Sequence, residues 1–214
     1  MSSAPPYHSR RAVLGALAAL SARPASAAGK AAVVTILGDS ITAGYGLRAM
    51  DALPAQLQLA FGRIGVRVVV RGAGVSGDTT AGGLARLDFS VQADTRLCIV
   101  ALGGNDLLQG LDPRATRANL EAIVRRLKAR HIRTLVCGVR APPRLDARFA
   151  REFNAVFPAV AHAEGVALYA NLLAGVELDP ALNQGDGVHP NARGVKVIAA
   201  RLAPVAARVL GSRA

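Results

Sequence analysis

"ILGDSITAGYGL", Ile36 to Leu47, decides how the rest of the chain is read. The apolar run Val33 to Leu37 ends in Gly38-Asp39-Ser40, small residues that stop a strand and begin a turn. If that strand lies in a parallel sheet, Gly38 to Ser40 stand at its carboxyl end, where open α/β sheets gather their reactive groups. Ser40 is then either a turn or helix-capping residue beside Asp39 or a nucleophile.

Working outward, short β-rich runs alternate with longer amphipathic stretches. The strands read as Val33 to Leu37, Val66 to Val70, Leu97 to Leu102, Thr134 to Val139 and Val166 to Tyr169. Between them, "LPAQLQLAFGRIG", "TTAGGLARL", "RATRANLEAIVRRLKARH" and "RFAREFNAVFPAVAHAEG" place apolar residues three and four apart, and "PNARGVKVIAARLAPVAARVL" closes the chain. This alternation predicts an α/β fold of three layers, α/β/α, with a five-stranded parallel sheet and helices on both faces. A length of 214 residues, 51% apolar, suits one domain with a sizeable core.

The carboxyl-end rule yields a short list of places for chemistry: Gly38-Asp39-Ser40, Gly72 to Asp78, Gly103-Gly104-Asn105-Asp106 and Arg140 to Pro143. Acyl transfer needs a nucleophile, a base, a group that orients the base, and donors aimed at the developing oxyanion. Ser40 is the candidate nucleophile. "DGVHP" supplies Asp186 and His189, spaced so that the carboxylate can accept from one imidazole nitrogen and leave the other for a serine. Pro190 suits the first position of the last helix, which would hold His189 at its entrance. Asn105 offers a side-chain amide, and Gly74 to Gly77 offer main-chain N–H groups without side-chain obstruction. Asp39 and Asp106 read as loop braces. No metal site is drawn, because His131 and His162 fall near helix ends far from this loop and His8 lies at the amino terminus.

Serine after strand one, glycine after strand two, asparagine after strand three and Asp-x-x-His at the tail resemble the four blocks of the SGNH, or GDSL, hydrolases. Here they stand as "GDSITAG", "GAGVSGDTT", "LGGND" and "DGVHPN". The longer "GDTTAGGLARL" and "LGGNDLLQGL" are most similar to the bacterial periplasmic thioesterase, lysophospholipase and arylesterase branch. One departure is Arg71-Gly72, where that branch often carries Asn. The resemblance implies a flavodoxin-like sheet and a serine esterase without a cofactor. It implies a triad of Ser40, His189 and Asp186, and an oxyanion hole of Ser40 N–H, Gly77 N–H and the Asn105 side chain. The implied substrate is a small acyl ester or thioester, or a lysophospholipid.

Ser9-Arg10-Arg11-Ala12-Val13-Leu14 leads into a short apolar run, and Ala25-Ser26-Ala27 offers a cleavage site. This resembles a twin-arginine export signal, so residues 1–27 are expected to be removed, leaving residues 28–214 as the hydrolase domain in the periplasm or secreted. The run is too short to span a bilayer, which takes about 20 apolar residues. A formal charge of +12 raises the question of nucleic acid. The arginines are scattered through the helices, however, and no Trp, three Tyr and five Phe offer few stacking platforms, so a solvated basic surface is expected. Cys98 and Cys137 sit in apolar runs and read as buried free thiols. Two rival readings stay open: a dinucleotide-binding oxidoreductase, since Gly72 to Gly77 match G-x-G-x-x-G after a strand, and a non-catalytic binding protein on the same fold.

Overall fold

The computed structural model describes residues 1–2, 31–142 and 145–211. Apart from Met1 and Ser2, the expected export segment lies outside them, as does Pro143. Five strands, β1 (Ala32–Gly38), β2 (Val68–Gly74), β3 (Thr95–Ala101), β4 (Arg133–Cys137) and β5 (Ala167–Tyr169), form one parallel sheet in the order β2-β1-β3-β4-β5. This is the flavodoxin-like order, with the switch point beside β1 and β3. The helices are α1 (Ser40–Ala43), α2 (Leu53–Arg63), α3 (Thr80–Ala85), α4 (Leu87–Ser90), α5 (Gly104–Leu108), α6 (Pro113–Ala129), α7 (Ala147–Glu164) and α8 (Ala192–Gly211).

Strand alternation divides the core in two. Val34 and Ile36 of β1, Leu97 and Ile99 of β3 and Leu135 of β4 pack with Leu57 and Phe61 of α2 and Ile198 and Leu202 of α8. Leu37, Val100 and Val136 point the other way, against Leu120 and Val124 of α6 and Phe153 and Phe157 of α7. Each such side chain contributes roughly 1.5–3 kcal/mol relative to exposure, so both faces of the sheet are clamped. The same alternation separates the cysteines. Cys98 faces the α6/α7 layer and Cys137 the α2/α8 layer, and both are free thiols. Burial pushes the Cys98 thiol up to about 12 and the Cys137 thiol higher still, so neither is a nucleophile at neutral pH.

The structure departs from the sequence reading most at β2 and in the stretch that follows it; β3 also starts two residues earlier, and β4 ends two residues earlier, than expected. β2 starts at Val68, two residues later than expected, and runs on through Arg71-Gly72-Ala73-Gly74. It does so because Thr35 to Gly38 pair with those four residues in register. "TTAGGLARL", expected as one helix, forms α3 and breaks at Arg86, beyond which Leu87 opens the separate α4.

Candidate active site

The site begins at the end of β1. A Cβ on Gly38 would overlap the Thr42 side chain and press on Ala101 O, so only glycine lets the chain turn so tightly from strand into α1. Asp39 caps that helix, its Oδ1 accepting the Ile41 N–H at 3.0 Å. Ser40 is the first helical residue, and its own N–H has no intrahelical acceptor to reach. A four-residue helix has no stability of its own; the sheet beneath it and the Asp39 cap hold it.

The partners come from the opposite end of the chain. Ser40 Oγ lies 2.8 Å from His189 Nε2, and His189 Nδ1 lies 2.7 Å from Asp186 Oδ2. Asp186 Oδ1 also accepts the N–H groups of Val188 (2.9 Å) and His189 (3.0 Å). These hydrogen bonds hold the carboxyl down at about 2 although it is exposed, so Asp186 is ionised across any working pH. Pro190 is not the first residue of α8. It bridges to Asn183, and Asn191 caps the helix instead, its Oδ1 accepting from Arg193 N–H and Gly194 N–H.

Two residues outside the sequence reading complete the histidine's seat. The Tyr45 ring lies 4.7 Å from the imidazole, centroid to centroid. Gln184 ties the two loops together: its side-chain amide donates to Tyr45 O (2.8 Å) and Pro190 O (3.1 Å), and its N–H donates to His189 O (2.8 Å). Neither has a sequence signal beyond its nearness to "GDS" or "DGVHP".

The candidate oxyanion donors are placed less uniformly. Asn105 lines the same cavity as Ser40 and His189, and its amide donates to Asp78 O at 2.9 Å, which fixes the side chain and leaves the second amide hydrogen without a partner among the described residues. Gly77 adopts φ 83°, a turn that favours glycine, but it is exposed and lies outside the lining of that cavity. Its loop is braced by Arg86, which the sequence reading passed over. The guanidinium pairs with Asp78 at 2.6 Å and donates to Ala73 O (3.0 Å) and Gly38 O (2.8 Å), locking the second loop to the end of β1 that leads into Ser40. Arg86 stands within "GLARL", the stretch that carried the nearer family likeness. Arg71 supports none of this; it forms an exposed fork with Asp94. Asp106 is the brace expected, accepting from Thr80 N–H (2.8 Å), Thr80 Oγ (2.5 Å) and Thr116 Oγ (3.1 Å).

The cavity over Ser40 measures about 320 Å³ and is walled largely by apolar side chains, among them Leu107, Leu108, Val139, Leu172 and Leu178. Asp39 also lines it, and burial raises its carboxyl to about 6, against the lowering pull of the Ile41 N–H and His189. Among the described residues no cluster of His, Cys, Asp or Glu has the makings of a metal site, and no helix is long and apolar enough to cross a membrane.

The GDSL-like lipase/acylhydrolase family model matches residues 36–197, from the strand before Ser40 to beyond His189. The chain belongs to the GDSL-like lipase/acylhydrolase family. It is 37% identical over 165 residues to the thioesterase 1/protease 1/lysophospholipase L1 of Escherichia coli K12, covering 77% of this chain and 78% of that one. It is 36% identical over 161 residues to the esterase TesA of Pseudomonas aeruginosa, covering 75% and 80%. The crystal structure of AlinE4, an SGNH-hydrolase family esterase, superposes with a TM-score of 0.71 at 42% identity, covering 86% of this chain and 99% of that one. Membership of this family displaces the oxidoreductase reading, and the geometry gives the reason. Gly72 and Gly74 lie inside the edge strand β2, and the next helix opens only at Thr80, so the strand–turn–helix cradle that a pyrophosphate requires is not formed.

Proposed function

We propose that this GDSL-family enzyme is a serine esterase that hydrolyses carboxylic esters or thioesters through an acyl-enzyme on Ser40. The observation that carries this is the unbroken hydrogen-bond chain Ser40 Oγ, His189, Asp186 opening into an apolar cavity. His189 Nε2 takes the hydroxyl proton as Ser40 attacks the carbonyl carbon. Asp186 holds the ring tautomer and stabilises the imidazolium that results. The negative oxygen of the tetrahedral intermediate is met by Ser40 N–H and the second Asn105 amide hydrogen. Gly77 N–H, on the loop that Arg86 braces, is the third donor that the family likeness implies. His189 then protonates the leaving alcohol or thiol, and a water deprotonated by the same nitrogen releases the acid.

A cavity of about 320 Å³ lies at the small end of ligand sites. It suits aryl or short to medium acyl groups, in keeping with relatives named as esterase and thioesterase. Residues 1–27 serve as a removable twin-arginine leader, which places the enzyme in the periplasm or outside the cell.

The test is covalent. Treatment with a fluorophosphonate followed by peptide mass spectrometry should place one adduct on the peptide containing Ser40. Label on another residue, or none in protein that folds, would overturn the assignment. A panel of p-nitrophenyl esters from two to sixteen carbons should then peak at short or medium chains.

A further inference from the structure

The described residues lining the cavity include one cation, Arg140. The backbone on either side of it is held: Gly138 N–H donates to Tyr169 O (2.8 Å), Leu172 N–H to Gly138 O (2.9 Å), and Ala141 N–H to Asn154 Oδ1 (2.8 Å). The side chain itself is exposed, and it has no ion pair or hydrogen bond with any described residue. Many of the other arginines are held on carboxylates, as at Arg48–Asp51, Arg86–Asp78, Arg117–Glu121 and Arg125–Glu164; what sets Arg140 apart from the remaining ones is its place in the lining of the cavity over Ser40. An unpaired guanidinium kept at the edge of an apolar cavity contributes nothing to serine attack or to burying an acyl chain. It presents five donors in a fork that fits a phosphate.

The other charged groups in the lining sharpen this. Asp39 is buried and committed to the Ile41 N–H. Glu177 is held by the Asn171 amide at 2.5 Å, and no ion pair joins it to Arg140. An anionic group entering the cavity is therefore drawn to Arg140 and repelled by Glu177. When the acyl chain occupies the apolar interior, the leaving group is the part of the substrate left at the exposed edge. We propose that Arg140 is a specificity-determining residue that binds a phosphate on the leaving group. The enzyme then favours phosphate-bearing acyl donors over neutral ones with the same acyl chain and scissile bond. This rests on the esterase reading above. The phosphate belongs either to a nucleotide-type thiol carrier or to a lysophospholipid headgroup.

Two matched pairs test it. Octanoyl coenzyme A is compared with the octanoyl thioester of N-acetylcysteamine, and lysophosphatidylglycerol with a monoacylglycerol of the same chain. In each pair the measured quantity is the ratio of kcat/KM, phosphate-bearing over neutral. Arg140→Gln should lower that ratio about fivefold at low salt, and Glu177→Gln should raise it, with both differences shrinking as salt screens the charges. Movement in the first pair alone assigns the thiol carrier, and in the second alone the lipid headgroup. Ratios that move in neither pair, while neutral substrates are still hydrolysed, overturn the role of Arg140 and leave the esterase reading standing. Failure of the unaltered enzyme on every substrate overturns the esterase reading, and this inference with it.

Discussion

Asp39 and Asp186 stand on either side of the Ser40–His189 hydrogen bond and titrate in opposite directions. Asp39, 6% exposed, is raised to about 6 because burial disfavours its charge more than a backbone N–H and the nearby imidazole favour it. Asp186, with its side chain 40% exposed, is lowered to about 2 because three hydrogen bonds converge on it. Solvent access is the ordinary condition of a surface carboxylate, so exposure alone does not explain Asp186. The difference teaches that burial lifts one carboxyl while converging donors lower the other, and that a carboxylate held ionised by such donors is suited to orient a base.

The same contrast runs through the elements that carry the two residues. The serine side is built on a buried strand and a helix capped at its first turn. The histidine side is a loop with no long element of its own, stitched by Asn183 to Val176 O and Asp179 O and by Gln184 to Tyr45 O.

The largest expected effect breaks the chain at the buried end. Ser40→Ala should lower turnover of a p-nitrophenyl ester by roughly 10⁴-fold or more with the melting temperature unchanged. Next, Asp186→Asn leaves an acceptor for the backbone donors but upsets the histidine tautomer, and kcat should fall by about 10³- to 10⁴-fold. Asn105→Ala should cost about 10²- to 10³-fold in kcat, with KM nearly constant, if its amide meets the oxyanion. A rise in KM alone would assign it to ground-state binding instead.

The smallest effect is on stability and isolates Asp39. Between pH 4 and 6 the folded protein keeps a proton that the unfolded chain, with a carboxyl at 3.8, has released. Stability should therefore fall as pH rises through that window, by up to about 3 kcal/mol, and level off above it. Asp39→Asn keeps the acceptor for Ile41 N–H and removes the charge. Thermal melts of the variant should lose this slope, and its melting temperature at pH 7.5 should exceed that of the unaltered protein. Asp186 contributes slope of the opposite sign at the low end of this window, since its lowered carboxyl gives up its contribution as pH falls through 3.8 toward 2.

Much of this was readable from particular residues. Near-continuous apolar runs such as "VVTIL" and "RLCIVAL" locate β1 and β3 because strands buried on both faces carry no polar face to interrupt them. The misreadings are local propensities overruled by neighbours. "RGAG" reads as a turn, yet it is strand, because β1 supplies a partner for every residue from Arg71 to Gly74. Val66, which reads as strand, instead closes the end of α2, its N–H donating to Phe61 O at 2.9 Å. Arg86, Tyr45 and Gln184 escaped because their roles lie in where long side chains fold back, which no periodicity records.

By itself the sequence determined the layered α/β architecture, the turn that carries Ser40, and the pairing of Asp186 with His189. Each depends on residues a few positions apart, where periodicity, capping and side-chain reach decide the outcome. Only the tertiary structure brought His189 to 2.8 Å from a serine 149 residues earlier, kept Gly77 outside the cavity that Asn105 lines, and set Arg140 at its wall without an ion pair among the described residues. Those are matters of which loops the sheet gathers at one edge, and of how deeply each charge is buried once they are gathered. Both follow from packing between segments distant in the chain.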